Sequence, residues 1–463
     1  MAGRTWIRIG GIAAGALGAT TAAVFYLAGL PALHVATSYT AKVNGSALFV
    51  GRRSPDTVFG QETGFLNFVH TDIQNDGVVT SVFGLAREHA VFRPGIGVTL
   101  DHGRVELPHT APVEPVFPAG WGARPWPLGA ATEPLPEDWG IDAAALTAAI
   151  DYAFSEPGPE PWRTRAVVVV QHGRLLAERY ADGFSVETRL AGWSMTKSII
   201  NALTGILVRQ GQLDIHAPAP VPEWADAADL RHAITTDQLL RMSSGLAFAE
   251  EYFNPFSDAT QMLFIQPDAA AVAAAQPLAH EPDKVWSYSS GTTNILSRIV
   301  RQTVGDADYW DFPRRELFEK IGMYSALIEP DPSGTLVGSS FGWATARDWA
   351  RFGQLFLQDG VWEGERILPE AWVAYSTTPT PPAPKGGYGA QWWLNAGTPE
   401  HPEDRPMPTL PPDLYFASGF EGQRVYVAPS HDAVIVRLGL TQGEELFDFE
   451  GFARRVLSSL AEV

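Results

Sequence analysis

The 463-residue sequence contains no cysteine. Disulfides, thiolate metal sites, thiol nucleophiles and a lipid on an N-terminal cysteine are therefore excluded. Lysine is nearly missing too: of 33 basic residues, only Lys42, Lys197, Lys284, Lys320 and Lys385 are lysine. Arginine serves wherever a plain positive charge suffices. A retained lysine is then informative, because lysine can lose its proton inside a protein and arginine cannot. Positive charge is scarce overall, with 52 acidic residues and a formal net charge of −19. Such a surface disfavours nucleic acid, whose phosphates need cations to displace their counterions. The 11 histidines show no His-Glu-x-x-His and no His-x-His, so neither a metal nor another cofactor is expected.

What is present describes a globular chain. It is 45% hydrophobic and 18% charged, which suits a sizeable core, and its length allows about two or three domains. Residues 9–33 carry no charge, and at ~1.5 Å per residue they are long enough for a ~30 Å hydrocarbon core. Arg4 and Arg8 precede the run, and no acidic residue occurs before Asp56. This pattern predicts a cytoplasmic segment 1–8, a transmembrane signal anchor 9–33, and the rest on the periplasmic or extracellular side. The alternative is a cleaved signal and a secreted protein. No clean small-x-small site supports cleavage, since His34-Val35-Ala36 has the wrong first residue.

Residues 35–106 hold short alternating runs, and SALFVGRR, GVVTSVFGL and GIGVTLDHGRVEL read as strands and hairpins. Residues 107–138 are rich in Pro and Gly and read as an extended surface connector. A second domain, 139–463, opens with an amphipathic helix, DAAALTAAIDYAF, ended by Pro-Gly-Pro at 157–159. Two apolar strands flank His172-Gly173, a hairpin signal. A long helix is predicted from Ser194 to Gln210, closed by Gly211. Further helices are expected at 235–243, 258–265, 292–304, 345–358 and 445–461. Late strands are expected in YGAQWWLN, GQRVYVAP and DAVIVRLGL. Strands at both ends with helices between them predict an α/β domain whose antiparallel sheet is built from the two ends of the chain.

Three motifs carry chemistry. In Ser194-Met195-Thr196-Lys197, residues three apart share one face at a helix start. Ser194 then meets free N–H groups and the positive helix end, and Lys197, its pKa lowered by burial, can accept the hydroxyl proton. The pattern also fits an ordinary cap followed by a solvated lysine. Next comes Tyr288-Ser289-Ser290 on a loop before a helix. A phenol beside a lysine can pass the proton to a leaving group, although a half-buried structural tyrosine reads the same. Tyr252-Phe253-Asn254 is a rival for this role. Last is Gly419-Phe420-Glu421-Gly422-Gln423, leading into a strand. Its glycines allow close backbone approach, and an N–H there could join that of Ser194 in an oxyanion hole; a tight strand entry is the plain alternative.

Taken in order, these motifs resemble the serine β-lactamase and penicillin-binding-protein superfamily. TTDQLLRMSSGL, FAEEYFNP, the stretch 338–369 and ASGFEGQRVYVAP are similar to the class C-related branch that includes esterases and 6-aminohexanoate-oligomer hydrolases. The resemblance covers about residues 140–460. It implies a β-lactamase/transpeptidase-like fold, with Ser194 as acylated serine, Lys197 as general base and Tyr288 as catalytic tyrosine. It implies a small amide or ester as substrate and says nothing of oligomeric state.

Two departures matter. The family's Asn after the tyrosine is Ser290 here. The Lys or His that binds a substrate carboxylate is absent from both Ala417-Ser418-Gly419 and Phe420-Glu421-Gly422. The expected enzyme is therefore not specialised for β-lactams, and Glu421 near the site would favour a neutral or amine-bearing substrate. A non-catalytic ligand sensor on the same fold is one alternative. Another is a Gly-x-Ser-x-Gly elbow at Gly338–Gly342 with Ser340 as nucleophile, as in α/β-hydrolases, but the Pro-rich stretch before it offers little strand. Glu250-Glu251-Tyr252 reads either as a wall of the substrate cleft or as a solvated acidic loop.

Overall fold

The computed structural model describes residues 25–102, 116–134 and 139–461. Helix α1 (Leu30–Phe49) lies across a four-stranded antiparallel sheet, β1 (His70–Gln74), β2 (Gly77–Val82), β3 (Ala86–Arg93) and β4 (Gly97–Leu100), in that order. The helix comes close because its sheet-facing residues are small: a Cβ on Gly45 would already sit 3.1 Å from Val98 Cγ1. The strand expected in SALFVGRR is instead the last turn of α1 and the loop after it. The polar residues that hide the helical period are used inside the helix. Thr37 and Thr40 Oγ1 bond to the carbonyls of Leu33 and Ala36 at 2.9 and 2.8 Å. The expected break between an anchor ending at 33 and a strand-rich segment from 35 falls inside α1. Residues 1–24, including most of that anchor, lie outside the described residues. Among the described residues no helix is long and apolar enough to cross a membrane.

Lys42 fastens α1 to the second domain. Its Nζ donates to Glu329 Oε2 at 2.5 Å and to the Val98 carbonyl at 2.6 Å. Glu329 is fully buried and also accepts from Ser46 Oγ, the Val98 N–H and Trp343 Nε1. Ala41, Ala47 and Val50 share one apolar core with that domain.

The central sheet has six antiparallel strands. Their order is β12 (Trp393–Leu394), β13 (Tyr415–Gly419), β14 (Gln423–Ala428), β15 (Ala433–Gly439), β5 (Thr164–Gln171) and β6 (Arg174–Tyr180). The last strand thus pairs with the first long strand of the domain, Val436 opposite Val168, as the sequence implies. In β5 every residue of TRAVVVVQ is buried, because both faces are covered. Val167 and Val169 pack with helices α2 (Ala143–Ala153) and α6 (Phe449–Leu457), while Val168 and Val170 face the main core. His172 and Gly173, at φ of 51° and 68°, form the two-residue turn from β5 to β6.

Helix α3 (Thr196–Arg209) and helix α4 (Ser290–Val304) pack side by side, and α5 (Ala346–Leu357) supports the central sheet. A small sheet of β7 (Leu190–Ala191), β9 (Gly342–Ala344) and β8 (Leu327–Ile328) leads into α3. The described part of the connector, 116–134, straps over α5. There Arg347 and Arg351 donate to the carbonyls of Ala130 and Gly129 at 2.7 and 2.6 Å.

Candidate active site

The turn from β7 into α3 carries Ser194. Gly192 is pinned by its N–H to the Gly342 carbonyl at 2.8 Å, and a Cβ there would strike the Trp349 ring at 2.2 Å. Trp193 follows with φ of +47°, a left-handed conformation that costs a non-glycine residue on the order of 1 kcal/mol or more. Trp193–Met195 is a 3₁₀ turn, so the α-helix begins two residues after Ser194 rather than at it. The consequence is a half-buried Ser194 just before the N-terminus of α3, one turn from Lys197.

Lys197 is buried, and its Nζ has three oxygen neighbours: Ser194 Oγ at 3.0 Å, Ser290 Oγ at 3.0 Å and the Ser339 carbonyl at 2.9 Å. Desolvation pushes its pKa down to about 8, against the opposing pull of Glu250. It also lies over the Tyr288 ring, 4.8 Å from the centroid. Tyr288 is half-buried among Trp286, Tyr388 and Trp393, and it meets Lys197 through its ring face.

Ser290, the first residue of α4, is fully buried. Its N–H donates to Glu250 Oε2 at 2.9 Å, and its Oγ–H donates to Glu250 Oε1. Tyr252 OH donates to the same Oε1, and burial followed by the nearby Glu250 charge holds its pKa well above the ordinary value. Tyr288, Ser290 and Tyr252 are thus gathered around Lys197 together with Glu250. Sequence patterning leaves Glu250 undecided between cleft wall and solvated loop, because its loop has no period to orient it. The Ser339 carbonyl has no side-chain signature at all.

The five residues Gly419–Gln423 split in direction. They form a tight turn between β13 and β14, with Gly419 paired to Gln423. Gly419 packs against the turn that carries Ser194 so closely that a Cβ would lie 2.1 Å from the Gly192 carbonyl oxygen. Phe420 faces the mouth beside Trp193, Tyr252 and Phe253, with ring centroids 5.6, 5.4 and 6.1 Å away. Glu421, Gly422 and Gln423 point elsewhere. Gly422 lies on Arg437, whose guanidinium donates to its carbonyl at 2.9 Å. Gln423 clasps β15 through both backbone groups of Gly439. Glu421 is buried against a small cavity of about 30 Å³ lined also by Lys42, Arg53, Glu62, Arg165 and Glu329. Burial, only partly offset by Arg165, pushes its pKa up to about 7. The acidic group at Lys197 is therefore Glu250, not Glu421.

The rival serine lies in a different setting. Ser340 is buried and its Oγ pairs with Ser339 Oγ at 2.9 Å. The chain runs loop, strand β9, then α5, whereas a nucleophile elbow needs a strand before the serine and a helix directly after it. Among the described residues no cluster of three His, Asp or Glu side chains is arranged to hold a metal ion.

Comparison with known proteins gives the family and the fold. A family model described as beta-lactamase matches residues 163–457. A 6-aminohexanoate-dimer hydrolase of Paenarthrobacter ureafaciens is 25% identical over 309 residues, covering 59% of this chain and 72% of that protein. A penicillin-binding protein homologue from Caulobacter crescentus shares the fold at a TM-score of 0.53 and 18% identity, over 71% of this chain and 99% of its own. A family VIII carboxylesterase does so at 0.52 and 17% identity, over 69% of this chain and 98% of its own. Helix α1 and its four-stranded sheet lie outside the family match. The match covers well over half of the chain and takes in Ser194, Lys197, Tyr288 and the β13–β14 turn: the chain belongs to the β-lactamase family.

Proposed function

We propose that this protein is a serine hydrolase that cleaves an amide or ester through an acyl-enzyme on Ser194. The observation that carries the reading is Lys197: buried, its pKa pushed down to about 8, with its Nζ 3.0 Å from Ser194 Oγ. A neutral Lys197 takes the Ser194 proton as Oγ attacks the carbonyl carbon. The N–H of Ser194 and one at the Gly419–Phe420 end of β13 receive the oxyanion, a pairing supported by the packing of Gly419 on the nucleophile turn. Tyr288 relays the proton from Lys197 to the leaving group. Water, deprotonated by the Lys197/Tyr288 pair, then releases the acid.

The substrate class follows from the mouth. Trp193, Tyr252, Phe253 and Phe420 offer apolar surface, and the 417–422 stretch offers no cation for a carboxylate. A neutral amide or ester fits better than a penicillin. The names of the Paenarthrobacter hydrolase and of the carboxylesterase point the same way. An activated-serine probe should label the protein, and labelling should vanish in Ser194→Ala. Labelling that survives Ser194→Ala and is lost in Ser340→Ala overturns the assignment. Penicillin turnover faster than that of neutral esters overturns the substrate class.

Residues 9–33 are proposed to hold this hydrolase at a membrane with its catalytic domain outside the cytoplasm. Supporting this, α1 begins just after Tyr26 and Leu27, which are 70% and 72% exposed. Release of the full chain from membranes by a salt wash, without detergent, overturns the anchor.

A further inference from the structure

Neutral lysine has two N–H donors and one lone pair. At Lys197 the two donors match the Ser339 carbonyl and Ser290 Oγ, which leaves the lone pair for Ser194 Oγ–H. This division holds only if the Ser290 hydroxyl hydrogen points away from Lys197. Turned the other way, it would donate to the lone pair and occupy the base. Something must fix that rotor, and a serine hydroxyl turns easily.

Glu250 is built to do so. Its Oε1 accepts from Ser290 Oγ–H and from Tyr252 OH, while its Oε2 accepts from the Ser290 N–H at 2.9 Å. A carboxylate offers no proton of its own, so Ser290 has one orientation that satisfies it. We propose that Glu250 is a positioning residue for the base: it turns the Ser290 hydroxyl away from Lys197 and, through that oxygen, sets how readily Lys197 gives up its proton. The proposal rests on the reading of Ser194 and Lys197 as nucleophile and base.

The electrostatics of Glu250 oppose its geometric effect and so read out separately from it. Burial favours the uncharged amine, and the Glu250 charge acts against it, so removing the charge makes Lys197 lose its proton at lower pH. The other groups around the pair are phenols. Tyr252 is held protonated by burial and by Glu250, Tyr388 by burial, Tyr288 and then Glu250, and the Tyr288 ring lies under Nζ. Glu250 is accordingly the charge whose removal reads out at Lys197. Neither Ser290 in place of the family's asparagine nor the acidic loop says this separately; their contact does.

The test is the pH profile of kcat/KM on a neutral ester, with the full chain. In Glu250→Gln the acidic limb should move to lower pH by about one unit, and the plateau should fall roughly tenfold, since the amide can donate to Ser290 and release its hydroxyl toward Lys197. Glu250→Asp, which keeps the charge, should hold the limb within a few tenths of a unit of the parent. A Glu250→Gln enzyme with a lower plateau and an unmoved limb has lost only structure, and that overturns the proposal; so does a profile like the parent's. If Glu250→Gln fails to fold, Ser290→Ala carries the test, with a plateau loss of about tenfold expected and parent-like turnover overturning it. Probe labelling of the parent at Ser194 stands apart from these results. With labelling present, a failed Glu250 test removes only the positioning role; with labelling absent, both readings fall.

Discussion

A lysine and an arginine carry the same charge, but only the lysine can shed it near neutral pH. Lys197→Arg therefore separates a base from a structural cation. The substitution keeps the positive charge beside Tyr288 and Ser339, yet kcat/KM should drop about a thousandfold, the range set by removal of a general base. On the proposed mechanism, activity in the parent depends on the uncharged form. With the pKa pushed down to about 8, kcat/KM should rise with pH through that value and level above it. Steady-state kinetics between pH 6 and pH 10, roughly two units either side, check both. Turnover of Lys197→Arg within a few-fold of the parent would remove Lys197 from the chemistry. The Ser194–Lys197 pair was legible because its spacing is that of one helical turn. Glu250 was not, because nothing in an isolated loop sequence says which of Glu250 and Glu251 turns inward. Glu421 misleads for the same reason. In this tight turn Glu421 sits at φ of 61°, and Phe420 takes the mouth while Glu421 takes the interior.

At the scale of elements, a buried ion pair ties α1 to the second domain. Lys42 and Glu329 are both nearly inaccessible, and the partners of Glu329 come from α1, β4 and β9. Removing one partner leaves an uncompensated buried charge, which costs more than the pair itself contributes. Glu329→Gln should cost about 3–5 kcal/mol in urea unfolding, and the double variant Lys42→Met/Glu329→Leu should recover a large part of that loss. Equal losses in the single and double variants would mean the pair is not what fastens α1. The tie reaches the site as well. Glu329 N–H donates to the Phe341 carbonyl at 3.0 Å, two residues beyond Ser339, whose carbonyl receives Lys197. Hairpins were the readable elements, since His172-Gly173 supplies two left-handed residues between buried strands. Helix α1 was not. Thr37, Ser38, Thr40, Asn44 and Ser46 are all buried, so a face that packs inward looks polar in sequence. Its burial comes from partners 30 to 300 residues away, roughly, which local pattern cannot register.

Across the whole molecule, α1, the back of the Ser194 turn and the β13–β14 turn converge on one small cavity. Lys42, Arg53, Glu62, Arg165, Glu329 and Glu421 all line it, as does Trp193, next to Ser194. Most of this charge is compensated. Arg53 and Arg165 both reach Glu62, and Lys42 reaches Glu329. For Glu421 burial wins: its carboxyl is pushed up from 4.5 to about 7, with Arg165, a hydrogen bond from Gln442 and Arg163 offsetting only part of the cost. Between those two values the unfolded chain releases the proton while the folded chain keeps it. The folded state then binds more protons, so stability falls as pH rises through this window and levels above about 7. The shift corresponds to roughly 3 kcal/mol at most. Other groups titrate in the same range, so the informative quantity is the difference between Glu421→Gln and the parent. That variant keeps the shape and removes the titration. It should be close to parent stability near pH 4.5 and more stable by one to three kcal/mol, roughly, at pH 8, measured by urea unfolding at matched ionic strength. A difference that does not change with pH would mean that Glu421 ionises as it does in the unfolded chain, and that Arg165 compensates it fully.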